Sequence, residues 1–204
     1  MLTFDHIAVS AEALEPGARD VEAALGQPLL PGGAHPDMGT HNRLLSFGPE
    51  EYFELIAIDP EAPGPDQPRW FNLDEFEGPA RVTNWICRCP DIEAAIAAAP
   101  EGIGMPWRLQ RADLRWTMAV PRDGKLPFGG LFPALIQWHG AAHPAPRLQD
   151  TGVRLKELRL FSPQVEALGA ALQPLLDDAR VILLAADTVR IEAVLSTPGG
   201  EVVL

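Results

Sequence analysis

The stretch Phe4-Asp5-His6-Ile7-Ala8-Val9 decides the fold, because it returns twice along the chain. Val82-Thr83-Asn84-Trp85-Ile86-Cys87 and Leu155-Lys156-Glu157-Leu158-Arg159-Leu160 have the same make-up. Each reads as a short apolar strand with a polar residue at its third place: His6, Asn84 and Glu157. An alanine- or leucine-rich amphipathic segment follows each strand. A spacing of about 75 residues is too long for a solenoid repeat and suits a small βαβββ module repeated within one chain. The expected class is therefore α+β, with paired modules enclosing a pocket. The repeated polar position can point into it.

Working outward gives three units, at residues 1–60, 80–140 and 150–204. In the first, Leu14, Val21, Ala24 and Leu25 recur at helical spacing and Gly26 stops the helix. Residues 27–38 read as a Pro/Gly-rich loop, followed by a hairpin of strands at 41–47 and 52–58. A proline-rich linker (60–79) follows, and its Trp70, Phe71 and Phe76 suggest that it packs on the body. The second unit has a strand at 81–89, a helix at 91–99 with Asp91 as N-cap, and strands near 107–112, 115–120 and 132–138. The third starts with a strand at 153–161. Ser162-Pro163 then reads as an N-cap with proline at the first helical position, opening a helix over 163–176. Short strands near 181–184, 189–195 and 201–204 close the chain.

Composition excludes several classes. The 204 residues carry 16 Lys+Arg against 28 Asp+Glu, a formal charge of −12. Such an acidic chain repels phosphate backbones and anionic lipid surfaces, and no segment concentrates enough basic residues to offset this. No nucleic-acid or membrane partner is expected. Two cysteines, Cys87 and Cys89, share one strand face at roughly 7 Å and read as reduced core thiols, consistent with a cytoplasmic location. There is no GxSxG elbow, phosphate-cradling GxxxxGK[ST], GxGxxG or HExxH motif.

Two residues stand out chemically. Glu54 sits in Tyr52-Phe53-Glu54-Leu55-Ile56-Ala57-Ile58, a strand otherwise almost wholly apolar. A carboxylate there must be paired, protonated, metal-bound, facing a wet pocket or at an edge that reaches water. His6 shares a strand face with Phe4, Ala8 and Ser10, with Asp5 on the other; alone, a histidine on an apolar strand is more often a hydrogen-bonded core residue than a ligand. The Gly39-Thr40-His41-Asn42 turn offers His41 and Asn42 as ligand-orienting groups at a cavity mouth, or as side chains that satisfy the loop backbone. Trp85, Trp107, Trp116 and Trp138 can wall a pocket or fill a core. His35 and His143 fall in Pro/Gly-rich loops without an assigned role.

The first strand, Gly39-Thr40-His41-Asn42-Arg43-Leu44, Tyr52-Phe53-Glu54-Leu55-Ile56 and Phe132-Pro133-Ala134-Leu135-Ile136-Gln137-Trp138 together resemble the glyoxalase-like branch of the vicinal oxygen chelate superfamily. The resemblance covers roughly the first 140 residues and extends to the last 50 only as a module-like pattern. It implies an α+β fold of paired βαβββ modules whose strands form a curled mixed sheet around a small-molecule cavity. In metal-dependent members it also implies one divalent ion (Zn, Ni, Fe or Mn), held by first- and last-strand residues of both modules. The first unit fits, with His6 and Glu54 as metal ligands and Glu54 as candidate catalytic carboxylate. The second offers Asn84 opposite Ala134, and the third Glu157 opposite Val203, so the implied ligand set is incomplete. His41, Asn42, Asn84 and Trp138 remain as ligand-binding candidates. Two functions follow from the resemblance: a metal-dependent lyase, isomerase or dioxygenase, or a metal-free protein that binds or sequesters a small molecule. The odd third unit must pack on the first two or pair with its copy in a homodimer.

Overall fold

Apolar alternation builds two sheets in the computed structural model, which describes residues 1–204. The larger sheet contains β1 (Thr3–Ser10), β2 (Leu30–His35), β3 (Thr40–Ser46), β4 (Tyr52–Ile58), β5 (Arg81–Arg88), β6 (Met105–Arg111), β7 (Leu114–Val120) and β8 (Ala134–Trp138). Their order is β2-β3-β4-β1-β5-β8-β7-β6. Helices α1 (Leu14–Leu25) and α2 (Ile92–Ala98) follow β1 and β5. Each half is thus a βαβββ unit whose last strand lies parallel to its first, and the halves join through an antiparallel β1–β5 pair. Ala8 pairs with Glu54 and Ile86 with Ala134. Superposed on that register, Asn84 takes the place of His6 and Ala134 the place of Glu54. The sheet curls until its edge strands meet, bringing Arg111 of β6 against Gly33 of β2.

The repeat preserves an irregularity as well as a pattern. On β1 the register skips Asp5, and on β5 it skips Thr83. A smaller second sheet contains β9 (Arg154–Ser162), β10 (Val181–Ala185), β11 (Arg190–Thr197) and β12 (Gly200–Val203), and on β9 the register skips Lys156. All three bulged residues directly precede the repeated polar position. A β-bulge bends the strand and re-aims a side chain. Simple alternation puts Asp5 and His6 on opposite faces; the bulge instead brings the Asp5 carboxylate within 2.6 Å of the His6 ring.

The third unit keeps the opening strand, its bulge and a helix, α3 (Val165–Leu172), but its strand order is β10-β9-β11-β12. The strand after the helix pairs directly with β9, whereas β2 and β6 lie at sheet edges. The unit packs on the first two: one core of 50 buried residues spans both sheets. Leu2 N–H donates to the Leu175 carbonyl at 2.7 Å. Arg180 bridges Glu51 and Asp178, both at 2.7 Å, and lies over the Phe4 ring.

Two local expectations need correction, while the linker packs on the body as its aromatics suggest. The Pro/Gly-rich segment 27–38 holds strand β2, because Gly32 and Gly33 let the backbone close on Asn42; a Cβ at Gly32 would meet Asn42 Oδ1 at 1.9 Å. Pro31 is tolerated because β2 is an edge strand. The last helix is shorter than 163–176. Ser162 belongs to β9, its hydroxyl accepts from Gln164 N–H in a turn, and the helix begins only at Val165. The linker holds a 3-10 turn, Trp70–Glu75, with Trp70, Phe71 and Leu73 buried. Phe71 and Asn72 there, and Phe128 in a second such turn (Pro127–Gly130), adopt left-handed φ of 59°, 53° and 57°.

Candidate functional site

Strand parity places His6 (β1), Tyr52 and Glu54 (β4), Asn42 (β3) and Trp138 (β8) around one cavity inside the curled sheet. Its free volume is about 30 Å³, room for a water or two. His6 is anchored from behind. Its Nδ1–H donates to Asp5 Oδ1 at 2.6 Å, leaving Nε2 toward the cavity. Asp5 is fully buried, and its other oxygen accepts from Trp138 Nε1 and His143 Nε2, both at 3.1 Å. Tyr52 stacks on the His6 imidazole, with ring centres 4.2 Å apart.

Glu54 is held from the other side. Asn42 Nδ2 donates to Glu54 Oε1, and Asn42 Oδ1 accepts from Arg111 Nη1 at 3.1 Å and from Gly33 N–H at 2.9 Å. The same guanidinium donates to His35 Nε2 at 3.1 Å. Arginine cannot accept, so His35 Nε2 must be the unprotonated nitrogen and Nδ1–H donates to Thr40 Oγ1 at 3.0 Å. These bonds leave four polar atoms short of good partners. His6 Nε2 lies 3.6 Å from Glu54 Oε2 and 3.5 Å from the Tyr52 hydroxyl. Trp70 Nε1, in the cavity wall, is buried with no partner at all.

The charge states follow from these contacts. Burial pulls the His6 pKa down, but the bonds to Asp5 and Glu54 outweigh it and raise it from 6.5 to about 8. Burial pushes Glu54 up, yet its contacts with His6 and Asn42 hold it at about 2. Asp5, also buried, is kept well below the usual carboxylate range by His143 and His6. Burial, with the Arg111 charge adding to it, lowers His35 to about 4, and burial raises the Tyr52 phenol well above its usual value. At neutral pH the cavity therefore contains a buried Asp5⁻–His6⁺–Glu54⁻ array, a neutral phenol and, across Asn42, a guanidinium.

Of the sequence candidates, the structure brings together His6, Glu54, Asn42 and Trp138. His41 faces the other side of β3, its buried Nε2 without a partner. Asn84 borders a separate groove, with Phe71 in the walls of both spaces. Gln137 turns away to bond Ile92 N–H and the Pro90 carbonyl. Sequence reasoning missed Asp5, hidden by the bulge, and Arg111, delivered by curling of the sheet. It also missed His35 and His143, assigned to loops, and Tyr52. The last was legible, being two residues before Glu54 on the same strand face.

The donor set does not match the divalent ion that the resemblance implies. His6 Nδ1 is committed to Asp5 and Glu54 Oε1 to Asn42, leaving two donors. The register puts Ala134 where a third would stand, and the other imidazole in the cavity wall, His35, already accepts from a cation. No group of three or more His, Cys, Asp or Glu side chains is arranged to hold a metal ion. Catalytic sites of this type use three protein ligands.

The curled pair of βαβββ units around a His/Glu-bearing cavity defines a protein of the vicinal oxygen chelate fold. Within it, the family model for a glyoxalase-like domain matches residues 4–176, and the chain belongs to that family. The match continues past the first two units through β9 and α3. Functionally curated proteins provide no match. A hypothetical protein from Staphylococcus aureus shares the fold, with a TM-score of 0.62 and 14% identity over 93% of this chain and 88% of that one. Streptomyces coelicolor methylmalonyl-CoA epimerase gives a TM-score of 0.46 at 17% identity, over 70% of this chain and 100% of that one. A hypothetical protein from Bacillus halodurans gives 0.44 at 16%, over 70% and 97%. No helix is long and apolar enough to cross a membrane.

Proposed function

We propose that this protein binds the oxygen-bearing end of a small molecule in the inner cavity without a metal, and that His6 exchanges a proton with the bound group. One observation carries this reading. His6 Nε2, Glu54 Oε2 and the Tyr52 hydroxyl converge on one small void at separations of 3.5–3.6 Å, too long for well-made bonds between them. An oxygen placed among them accepts from His6 Nε2–H and Tyr52 O–H, or donates to Glu54. Asp5 fixes the imidazole tautomer and supports its positive form, and a pKa near 8 suits proton exchange close to neutral pH. Trp116, Met118 and Trp138 supply apolar wall for the adjoining carbon atoms.

The metal-dependent lyase, isomerase or dioxygenase reading, with His6 and Glu54 as ligands, needs a third donor that this cavity does not offer. The reading as a metal-free binder requires no rearrangement of the network.

Methanol and formamide are suitable probes for a cavity of this size, with xenon as an apolar control. After chelator treatment, both oxygenated probes are expected to move the His6 imidazole nitrogen resonances while xenon leaves them unmoved. Absence of any change at tens of millimolar probe, or a change only after added Zn²⁺, would overturn the proposal.

A further inference from the structure

A second, larger space lies beyond Phe71. It is a groove of about 580 Å³ between β5, the turns at 70–76 and 124–130, and strands β11 and β12 of the third unit. That size falls within the roughly 300–1,000 Å³ of small-molecule pockets, which form preferentially where packed units meet. Phe71, Phe76, Leu126, Val189 and Ile191 give it apolar wall.

Five charged side chains border the groove, and four of them are matched. Lys125 pairs with Glu75 at 2.8 Å and Arg190 with Glu192 at 3.1 Å. The fifth, Arg81 at the start of β5, has no carboxylate partner. Its side-chain hydrogen bonds run only from Nη1 to the Glu77 and Pro79 carbonyls, at 2.8 and 3.3 Å. In a chain with a formal charge of −12, an unmatched guanidinium beside an apolar groove is a local exception.

The guanidinium is also held in place. Its carbon lies 4.2 Å from the centre of the Phe76 ring, which covers one face. The turn at 77–79 wraps Nη1 so closely that a Cβ at Gly78 (φ 94°) would sit 3.5 Å from it. Ring and turn together fix the guanidinium plane and leave Nε–H and Nη2–H without acceptors. Those two N–H groups are a parallel pair of the kind that binds both oxygens of a carboxylate. Holding the plane beforehand removes part of the ordering cost of binding.

We infer that this groove is a second ligand site, which takes a flat apolar molecule bearing one carboxylate, such as a fused-ring aromatic acid. The carboxylate docks on the Nε/Nη2 edge of Arg81, and the ring body lies against the apolar walls. Arg81 is exposed, and an ion pair at such a position is weak by itself. The walls therefore supply most of the affinity, and Arg81 sets the preference for an anion. The site uses none of His6, Glu54 or Tyr52, and so stands apart from the inner-cavity reading.

The test uses full-length protein with 2-naphthoate as probe, 2-naphthamide as its neutral counterpart, and acetate as a carboxylate without the ring body. Titrations followed by NMR are expected to show 2-naphthoate binding at least fivefold tighter than 2-naphthamide and at least tenfold tighter than acetate. The Arg81 Nε–H signal should move while the His6 ring signals stay in place. Arg81→Gln is expected to bind both naphthalene probes equally. Val189→Trp, at an exposed position in the groove wall, is expected to weaken both at least fivefold. Should Arg81→Gln fail to fold, the probe comparison and Val189→Trp still decide. Equal binding of 2-naphthoate and 2-naphthamide, acetate binding as tightly as 2-naphthoate, or 2-naphthoate binding unaffected by Val189→Trp overturns the inference.

Discussion

Replacing Glu54 by Gln tests whether the inner cavity is a buried ion pair or an ordinary polar core. The raised His6 pKa, from 6.5 to about 8, corresponds to about 2 kcal/mol of interaction favouring the protonated ring. Asp5 and Glu54 share that effect, so the imidazolium keeps one partner in the variant. Removing one member of a buried pair typically costs about 3–5 kcal/mol. Because the Gln carbonyl can still accept from Asn42, the lower end applies. For a chain of this size about 3 kcal/mol lowers Tm by roughly 6–12 °C.

The pH dependence carries the sharper signature. A raised histidine pKa stabilises the fold fully below 6.5, and this is lost as pH rises through about 8. A lowered carboxylate pKa stabilises the fold above its usual 4.5, and this is lost as pH falls toward about 2. The Tm deficit of Glu54→Gln is therefore largest between about pH 4.5 and 6.5 and narrows above pH 8. Thermal unfolding across that range, with NMR titration of the His6 ring, provides the measurement. A His6 pKa at or below 6.5, or a deficit that does not vary with pH, would refute the ion-pair reasoning.

Three further outcomes are expected. Asp5→Asn replaces a buried carboxylate that accepts from His6, Trp138 and His143; it should lower the His6 pKa and cost about 3 kcal/mol, read by NMR titration and denaturant unfolding. Gly32→Ala drives a Cβ into Asn42 Oδ1; it should displace Asn42 from Glu54 and Arg111 and destabilise by about 1–3 kcal/mol, with unchanged stability counting against the close approach of β2. Zn²⁺, Ni²⁺ or Mn²⁺ at micromolar concentration should leave Tm unchanged, because only two donors are free; a stoichiometric ion that resists dialysis and is lost in Glu54→Ala would contradict the donor count.

The sequence carried the sheet because its signals are local. His6, Glu54 and Trp138 each stand in an apolar strand whose alternation fixes their face, and Gly26 and Asp91 mark helix ends by their own conformational preferences. The parts that escaped depend on distant contacts. Asp5 turns toward His6 only because the β1–β5 register slips by one residue, and no property of Asp5 itself announces that slip. Arg111 lies 69 residues from Asn42 and reaches it only when the curled sheet brings its two edges together. Strand β2 looked like a loop because Pro31, Gly32 and Gly33 are poor strand formers in isolation. Against Asn42, the absence of side chains is what the site requires. Asn84 was legible as the counterpart of His6, but the repeat could not reveal that Phe71 separates the two.

The central claim is that the inner cavity captures a ligand oxygen directly between His6, Tyr52 and Glu54. A diffraction structure of chelator-treated protein, at a resolution sufficient to place waters, tests it most directly. The account predicts a single oxygen within hydrogen-bond distance of His6 Nε2, Glu54 Oε2 and the Tyr52 hydroxyl, displaced by the methanol oxygen after soaking. An anomalously scattering ion at that point, or a direct His6–Glu54 bond with no void, would contradict it.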